Sequence, residues 1–231
     1  MGRLLLVRHG QASFGAEDYD ALSTLGAEQA RVLGESFARR GVKPDLVLRG
    51  SLRRHEGTVA GLFAGLGEPG IPVTVDAGWD EFDFQQVVAI HRPLYREEIA
   101  GHEQPGRAFQ EIFEAATGRW SSGGFDAEYA ESFPAFRDRV TGALERAGEL
   151  LREHRDIVVV SSGGPIALAV AMLTAGMTAD AATLAVVWSS LNRVAVNTGV
   201  TKLVSGRRGL WMSTYNEHSH VEADQRLLTY R

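Results

Sequence analysis

The sequence of 231 residues contains no cysteine, and this absence narrows the chemistry open to it. Disulfide bonds, thiolate metal sites and cysteine nucleophiles are all excluded. Seven histidines remain. Imidazole is therefore the first side chain to consider for nucleophilic or proton-transfer chemistry.

The sequence also lacks a strong excess of one charge. Its formal net charge is -5, from 24 lysines and arginines against 29 aspartates and glutamates, and the two signs are mixed along the chain. This pattern argues against a nucleic-acid-binding surface, so no nucleic-acid partner is expected.

The apolar run near the start of the chain is too short for a targeting or membrane segment. Residues 4–7 fall far short of a signal-peptide core or a bilayer span, and Arg8 and His9 follow at once. We therefore expect a cytoplasmic protein with no membrane partner.

The length, the 44% apolar content and the lack of an obvious linker or internal repeat predict a single domain over residues 1–231. Within it, residues 82 to about 135 show no strand pattern and carry aromatic side chains, a Gly-Gly pair at 123–124 and scattered helical stretches. Such a segment is typical of a helical insertion that covers a site as a lid.

Elsewhere, short apolar runs alternate with helical patterns. Strands are predicted near residues 4–7, 45–48, 73–75, 157–160, 193–197 and 210–215, and helices near 25–39, up to about 66, over 133–154 and after Pro165. This alternation predicts an α/β fold, a three-layer sandwich in which helices flank a mainly parallel central sheet. Ligands bind such sheets beyond the carboxyl ends of the strands. The segments predicted at those ends are residues 8–10, 50–54, 79–81 and 161–164.

The segment Leu6-Val7-Arg8-His9-Gly10-Gln11 closes an apolar strand, and it resembles the signature of the histidine phosphatase superfamily, which includes the phosphoglycerate mutases. Further segments resemble that family in the expected order along nearly the whole chain: Leu22-Ser23-x-x-Gly26-x-x-Gln29-Ala30, Leu52-x-Arg54-x-x-x-Thr58, Trp79-Asp80-Glu81-Phe82-Asp83-Phe84, Glu131-Ser132 with Arg139-Val140, Val160-Ser161-Ser162-Gly163-Gly164-Pro165, and Tyr215-Asn216-Glu217 with His220. The resemblance implies a phosphoglycerate mutase-like sandwich and phosphoryl-transfer chemistry.

The resemblance also implies a role for individual residues. His9 would attack phosphorus and hold the phosphoryl group as phosphohistidine, while the planar, permanently charged side chains of Arg8 and Arg54 grip its oxygens. Glu81 would protonate the leaving alcohol and later deprotonate a water molecule. This scheme requires no metal and no cofactor.

Other residues near these positions have alternative interpretations. Arg53 is the expected surface neighbour of Arg54, and Asp80 or Asp83 is the alternative to Glu81 as the acid. Gly10 would let the backbone turn close to the phosphate. Ser162 and Gly163 would bind phosphate at the start of a helix, where backbone N–H groups and a partial positive charge favour anions.

The chain departs from the family pattern at Ser162, where that pattern has a second histidine. Losing a positioned donor of this kind typically costs roughly 10²–10³ in turnover. Either Ser162 serves in a working site, or His55 or His220 substitutes for the histidine, or the protein only binds phosphorylated ligands. An exposed surface position is the more ordinary interpretation of His55 and His220, and a helix cap that of Ser162. Gly50 is a second departure, because the family often has serine there.

The sequence therefore predicts a phosphomonoester hydrolase that acts on a small phosphorylated molecule. A catalytically impaired protein that binds phosphorylated ligands or phosphate is the first alternative. A phosphoglycerate-type mutase is the second, and it is disfavoured because the Arg-His-Tyr-Gly segment of those mutases is missing after Glu81. A sugar phosphate, a phosphoamino acid and a phosphoprotein all remain open as substrates, and the sequence predicts no oligomeric state.

Overall fold

A central sheet organises the part of the chain described by a computed structural model, which comprises residues 2–13, 20–68 and 70–230. Within these ranges the sheet has six strands: β1 (Arg3–Arg8), β2 (Leu46–Arg49), β3 (Val73–Val75), β4 (Asp156–Ser161), β5 (Val200–Gly206) and β6 (Gly209–Glu217). Their order is β3-β2-β4-β1-β5-β6. The first four strands are parallel to one another, and β5 and β6 pair antiparallel on one side, so the predicted mainly parallel sheet is confirmed.

Helices cover both faces of this sheet. They are α1 (Thr24–Arg39), α2 (Arg53–Leu66), α3 (Phe84–His91), α4 (Tyr95–Ala100), α5 (Pro105–Ser121), α6 (Phe133–Leu150), α7 (Gly163–Ala175), α8 (Ala181–Arg193) and α9 (Ser219–Glu222). Short 3-10 turns lie at Ala77–Trp79, Asp126–Glu128 and Gln225–Leu227. Residues 82 to about 135 are helical as predicted, with α3, α4 and α5 in this segment. The single-domain organisation stays a prediction.

The alternation of side chains along the strands produces the three layers. In β1, Leu4 and Leu6 pack into the core cluster that contains buried residues of α6 and α7, whereas Leu5 and Val7 pack into the cluster formed with α1 and α2. Successive strand residues point to opposite faces of a sheet, so a fully apolar strand such as β1 must be covered on both sides. The predicted three-layer sandwich is confirmed.

One predicted strand is wrong. Residues 193–197 read as an alternating strand, but Arg193 is the last residue of α8 and the strand begins only at Val200. Thr198 has a φ of 60°, which breaks an extended backbone. The predicted long helix is also shorter, because α6 ends at Leu150 rather than at His154.

Local sequence explains several helix ends. Ser23 caps α1 by accepting a hydrogen bond from the backbone N–H of Gly26, and Asp180 caps α8 in the same way through Thr183. Within the described ranges, no helix combines the length and apolar character needed to cross a bilayer. The cytoplasmic location stays a prediction.

Glycines allow α1 and α2 to approach closely. A Cβ atom on Gly65 of α2 would overlap the carbonyl oxygen of Arg31 in α1, and one on Gly34 would overlap the carbonyl oxygen of Leu62. This close contact holds the C-terminal half of α2 against α1.

Replacing Gly65 by alanine is expected to lower the free energy of unfolding by about 2–3 kcal/mol, because the added methyl group must push α1 and α2 apart. Gly118→Ala in α5 is the matched control, since a Cβ there would meet nothing within 4 Å. The better helix propensity of alanine should raise the free energy of unfolding of that control by about 0.5–1 kcal/mol. Urea unfolding followed by circular dichroism measures both changes, and an unchanged stability of Gly65→Ala would contradict the close helix contact.

Candidate active site

The carboxyl ends of the parallel strands bring predicted site residues to one cavity, although Ser162 and His55 are not among the residues that line it. This cavity has a volume of about 430 Å³, and Arg8, His9, Arg54, Glu81 and Gly163 are among the residues that line it. They come from the end of β1, the first turn of α2, the loop before α3 and the start of α7. The sheet therefore gathers residues that are far apart in the sequence, at the edge where α/β sheets bind ligands.

His9 is held as a neutral imidazole in one tautomer. Its side chain is buried, with the whole residue only 7% exposed, and its Nδ1 lies 2.6 Å from the carbonyl oxygen of Gly10. A carbonyl oxygen can only accept a hydrogen bond, so Nδ1 carries the proton and Nε2 keeps its lone pair. Burial, followed by the positive charges of Arg54 and Arg8, holds the pKa of His9 well below its usual 6.5.

The backbone around His9 is fixed by the neighbouring strand and loop. Its N–H donates to the carbonyl oxygen of Ser161 at 2.9 Å, and its own carbonyl oxygen accepts from Nδ2 of Asn197 at 3.0 Å. These bonds hold the imidazole at a defined position at the end of β1.

Two arginines flank the histidine, and each is oriented by partners that the sequence did not reveal. Arg54 is buried, and its Nη1 donates to Oδ1 of Asp20 at 2.6 Å, whereas Arg53 is exposed as expected. Nη1 of Arg8 donates to the carbonyl oxygen of Tyr230 at 2.7 Å. Asp20 follows a loop-like segment and Tyr230 lies beyond the matched motifs, so neither residue carried a sequence signal.

Glu81 lies in the loop before α3, and its carboxylate reaches both the cavity and the start of α7. Its Oε2 accepts a hydrogen bond from the backbone N–H of Gly164 at 3.2 Å, and a Cβ on Gly164 would overlap its carboxylate. Burial raises the pKa of Glu81, against the lowering effect of Arg54, of the Gly164 hydrogen bond and of Arg8. The raised pKa favours the protonated form, which is the form that can donate a proton.

The two alternative acids have other partners. Asp80 accepts from the backbone N–H of Ser51 at 2.6 Å, and its second oxygen accepts from the hydroxyl of the same serine. Asp83 caps α3 by accepting from the N–H of Gln86 at 2.9 Å. Of these three carboxylates, only Glu81 lines the cavity beside His9.

His55 is buried, contrary to the surface position expected for it. Its side chain is 0% exposed, its Nε2 lies 2.9 Å from Oγ of Ser162, and its ring centroid is 5.8 Å from that of His9. Burial, followed by the charges of Arg54 and Arg49, holds the pKa of His55 well below 6.5, so this ring is also neutral.

The space for His55 exists because residue 50 is glycine. A Cβ on Gly50 would overlap Nδ1 of His55 and Oδ1 of Asp80, which lie 3.8 Å from each other. Ser162 occupies the N-cap position of α7, but its hydroxyl makes no capping hydrogen bond and is paired with His55 instead. Gly50 and Ser162 therefore meet at one side chain.

His220 is also buried, with 9% exposure, so the expected surface position is wrong for it too. Its Nε2 lies 3.0 Å from Oγ1 of Thr198, whose N–H donates to the carbonyl oxygen of Arg8 at 3.0 Å. His220 supports the loop behind β1 and does not line the cavity with His9.

The two predicted phosphate-binding glycines differ in position. Gly163 lines the cavity, and a Cβ on it would lie 2.7 Å from Oδ1 of Asn192. Gly10 packs against α1 instead, because its missing Cβ leaves room for the carbonyl oxygen of Gly26, and its N–H donates to Oγ1 of Thr58 at 3.0 Å. Across the described residues, no cluster of three or more histidine or carboxylate side chains is placed to bind a metal ion.

Comparison with known proteins gives one family match and several relatives. A model described as histidine phosphatase superfamily (branch 1) matches residues 4–208. A 2,3-bisphosphoglycerate-dependent phosphoglycerate mutase from Rhizobium rhizogenes is 31% identical over 98 residues, which cover 39% of this chain and 46% of the relative. The chain spans about half the length of the curated relatives it matches.

Solved structures share the fold over almost the whole chain. A phosphoglycerate mutase from Bacillus anthracis has a TM-score of 0.65 at 17% identity, with 95% of each chain covered. A phosphoserine phosphatase from Entamoeba histolytica, in complex with 3-phosphoglyceric acid, has a TM-score of 0.63 at 18% identity and covers 96% of this chain and 100% of its own. At these identities the likeness shows the fold, and the predicted phosphoglycerate mutase-like sandwich is confirmed.

The buried imidazole of His220 should make folding depend on pH. Burial lowers its pKa from 6.5 to about 4. Above pH 6.5 both states are neutral and the side chain has no effect, whereas below that value the unfolded chain binds a proton that the folded chain excludes. Stability attributable to this residue should therefore fall by roughly 3 kcal/mol as the pH drops from 6.5 to 4.

Urea unfolding of the unsubstituted protein and of His220→Gln at pH 7 and pH 4 measures this effect. The stability of the variant relative to the unsubstituted protein should improve by about 3 kcal/mol between the two pH values. His102→Gln, at an exposed position, is the control and should show no such change. An offset for His220→Gln that is the same at both pH values would mean that the imidazole is not buried.

Proposed function

The chain belongs to the histidine phosphatase superfamily, as its sequence motifs indicated, and from this premise we propose that it is a phosphomonoester hydrolase that acts through a phosphohistidine at His9. Arg8 and Arg54 bind the phosphoryl group, and Glu81 is the general acid and base. The observation that carries the proposal is the pairing of a neutral His9, whose proton is fixed on Nδ1, with a partly buried carboxyl group in the same cavity.

In the first step, Nε2 of His9 attacks phosphorus. The N–P bond forms as the bond between phosphorus and the ester oxygen breaks, and the leaving oxygen takes the proton of Glu81. The alcohol departs and Glu81 is left as a carboxylate. A raised pKa suits this role, because it favours the protonated form that the leaving oxygen needs.

In the second step, water releases the phosphoryl group. The carboxylate of Glu81 takes a proton from a water molecule whose oxygen attacks phosphorus. The O–P bond forms, the N–P bond breaks, and His9 returns to its neutral form with inorganic phosphate as the product. Atoms and charges balance over the two steps without a metal ion or cofactor.

The positive charge around the phosphoryl group comes from several elements of the fold. Arg54 is fixed by Asp20 and Arg8 by the carbonyl oxygen of Tyr230, so both guanidinium groups are positioned before the substrate binds. Gly163 begins α7, a helix of 13 residues whose N-terminal N–H groups and partial positive charge add to the binding of an anion. Preorganised charge of this kind is the main source of catalysis in phosphoryl transfer.

The sequence leaves two alternatives to a hydrolase, a mutase and a protein that only binds phosphate. The curated relatives are named as mutases, but a mutase must return the phosphoryl group to a second oxygen and exclude water, and no observation on this chain favours that over transfer to water. A protein that only binds phosphate would need Arg8 and Arg54 but not Glu81. The presence of a protonatable Glu81 beside His9 supports turnover.

The function is tested by phosphatase assays on a generic aryl phosphate. His9→Ala should lower kcat by at least about 10³-fold, because no other group is positioned to form the intermediate. Arg54→Ala should lower kcat/KM by about 10²-fold or more through loss of a charge-assisted contact to the phosphoryl group. Arg53→Ala is the matched control, since Arg53 is the exposed neighbour of Arg54, and it should stay within about twofold of the unsubstituted protein.

Detection of the intermediate provides a second measurement. Rapid acid-free quenching with a phosphorus-labelled substrate should trap an acid-labile phosphoenzyme in the unsubstituted protein and none in His9→Ala. Binding of phosphate without any turnover would overturn the hydrolase and favour the phosphate-binding alternative. Full activity of His9→Ala would show that another residue is the nucleophile.

We also propose that Ser162 and His55 together take the place of the second histidine of the family. With a phosphoryl group bound, Nε2–H of His55 would donate to Oγ of Ser162, and the hydroxyl proton would then point to a phosphoryl oxygen. The 2.9 Å distance between Nε2 and Oγ supports this relay, as does the space that Gly50 leaves for the ring. His55 is a positioning residue in this arrangement, because it acts through the serine.

The relay predicts a coupled loss of activity. Ser162→Ala and His55→Ala should each lower kcat by about 10- to 100-fold, with KM changed far less, because the donor acts on charge that develops in the transition state. The kcat of the double variant should be no lower than that of the less active single variant, since both substitutions break the same interaction.

Two controls separate this role from a purely structural one. His102→Ala should leave kcat unchanged, and thermal unfolding should show that the variants are folded at the assay temperature. Gly50→Ala should lower kcat at least as much as His55→Ala, because the added Cβ would overlap both His55 and Asp80. Losses in kcat that multiply in the double variant would contradict the relay.

A further inference from the structure

The cavity that contains His9 has a charged end and an aromatic body. Arg8, His9, Arg54 and Glu81 form the charged end. The rest of its 430 Å³ is lined by aromatic rings and by several polar side chains. The rings are those of Phe82, Phe84, Phe109, Phe113, Trp188 and Tyr230, and the polar side chains are those of Gln110, Glu114, Thr117, Ser189, Asn192 and Arg193. A cavity of this size, with aromatic walls and a limited set of polar groups, is of the kind that holds a small molecule.

The aromatic body is held in shape by ring-to-ring contacts. Phe82 stacks on Trp120 at a centroid distance of 4.5 Å and meets the edge of Trp188 at 5.8 Å. On the other wall, Phe113 of α5 meets Phe84 of α3 at 6.4 Å. Contacts of this geometry stabilise aromatic clusters beyond the area that they bury. Contacts within the protein therefore hold the walls in place.

Two polar groups in these walls are bonded within the protein, and Gln110, Ser189 and Asn192 contribute further polar side chains to the lining. Nε1–H of Trp188 donates to the carbonyl oxygen of Gly164 at 3.0 Å, and the hydroxyl of Thr117 donates to the carbonyl oxygen of Phe113 at 2.7 Å. Both residues thus present mainly carbon atoms to the cavity. A substrate hydroxyl group placed against these two residues would find no free partner in them, which is unfavourable where water is excluded.

The aromatic body also offers little to a second anionic group. Among the described residues that line the cavity, Arg193 is the one cation apart from Arg8 and Arg54, and its Nη2 lies 3.1 Å from Oε2 of Glu114. Glu114 also accepts a hydrogen bond from Gln110. The charge of Arg193 is therefore balanced within the protein, and a carboxylate on the substrate would face Glu114 as well as the arginine.

We propose that the substrates are phosphomonoesters of uncharged, largely apolar alcohols whose hydrocarbon body lies against the aromatic walls. This inference rests on the proposed hydrolase function, and it adds the class of alcohol that leaves. It separates this chain from structural neighbours such as the phosphoserine phosphatase that binds 3-phosphoglyceric acid, a small ligand with a second negative charge.

The substrate preference is tested with esters whose leaving groups are all alkoxides, so that chemical reactivity does not decide the result. The panel is 2-phenylethyl phosphate, O-phosphoserine and 3-phosphoglycerate, assayed by phosphate release. The value of kcat/KM for 2-phenylethyl phosphate should exceed those for both acidic esters by at least about 30-fold, a factor that burial of one aromatic ring supplies. Equal or higher kcat/KM for either acidic ester would overturn the proposal.

Substitutions in the walls test the location of the preference. Phe113→Ala should raise the KM for 2-phenylethyl phosphate by about 10-fold, and Phe113→Leu, which keeps an apolar side chain of similar size, by no more than about threefold. Phe125→Ala is the matched control, because Phe125 is 42% exposed and lies outside the cavity lining. Equal KM values for Phe113→Ala and the unsubstituted protein would contradict the proposed placement.

The ion pair gives a test in the opposite direction. Glu114→Ala should leave the charge of Arg193 unbalanced. The ratio of kcat/KM for 2-phenylethyl phosphate to kcat/KM for 3-phosphoglycerate should then fall by about fivefold, the size expected for a partly exposed ion pair. An unchanged preference in this variant would mean that Glu114 does not repel acidic substrates.

Failure of this inference can be told apart from failure of the proposed function. If no ester is hydrolysed, the hydrolase is wrong, and calorimetric titration of the unsubstituted protein then tests the cavity alone. In that case 2-phenylethyl phosphate should still bind at least about 10-fold more tightly than inorganic phosphate, because the ring is buried against the walls. Equal affinities would overturn the inference, whatever the outcome of the assays.

Discussion

The rest of the site depends on one buried, uncharged imidazole. A protonated His9 would have no lone pair on Nε2, and both burial and the two neighbouring guanidinium groups oppose that protonation. The burial follows from the position of β1 near the middle of the sheet, between β4 and β5. The proton is then fixed on Nδ1 by the carbonyl oxygen of Gly10. The fold thus determines both the charge and the tautomer of the group that we propose as the nucleophile.

Packing behind His9 links residues 50, 55 and 162. The ring of His55 lies against the hydroxyl of Ser162, and it fits there because Gly50 has no side chain. The three residues therefore act as one packing unit. An imidazole from α2 thus lies 5.8 Å, between ring centroids, from the group that we propose as the nucleophile.

Much of this arrangement follows from the sequence, and the part that does not has a physical reason. The apolar runs that become β1, β2, β3 and β4 give the sheet, and residues directly after a strand must lie at its carboxyl end, which places His9 and Ser162.

The burial of His55 could not be predicted, because it depends on a gap at residue 50, which is close to His55 only through the turn into α2. The contacts of Asp20 with Arg54 and of Tyr230 with Arg8 could not be predicted for a similar reason. A residue becomes the partner of an arginine by lying close to it in the fold, and no sequence motif marks it. Residues 193–197 were predicted as a strand because apolar and polar residues alternate there, but they form a helix end and a loop. The positive φ of Thr198 interrupts the extended backbone before β5.

The same reasoning explains why the sequence predicts the residues at the charged end of the cavity but not those of its aromatic body. Binding a phosphoryl group requires charged residues at strand ends, and such residues stand out in a motif. The walls around the alcohol come from α3, α5 and α8, whose phenylalanines and tryptophan have the spacing of ordinary core residues. Whether an aromatic ring of an amphipathic helix fills the core or lines a cavity depends on how far the helix stands from the sheet. In this chain Trp120 of α5 is fully buried against Phe82, while Phe109 and Phe113 of the same helix remain partly exposed to the cavity. One helix therefore both closes the core and forms the surface against which we propose that the substrate packs. A change in the position of α5 would then alter substrate preference while the phosphoryl-binding residues kept their places.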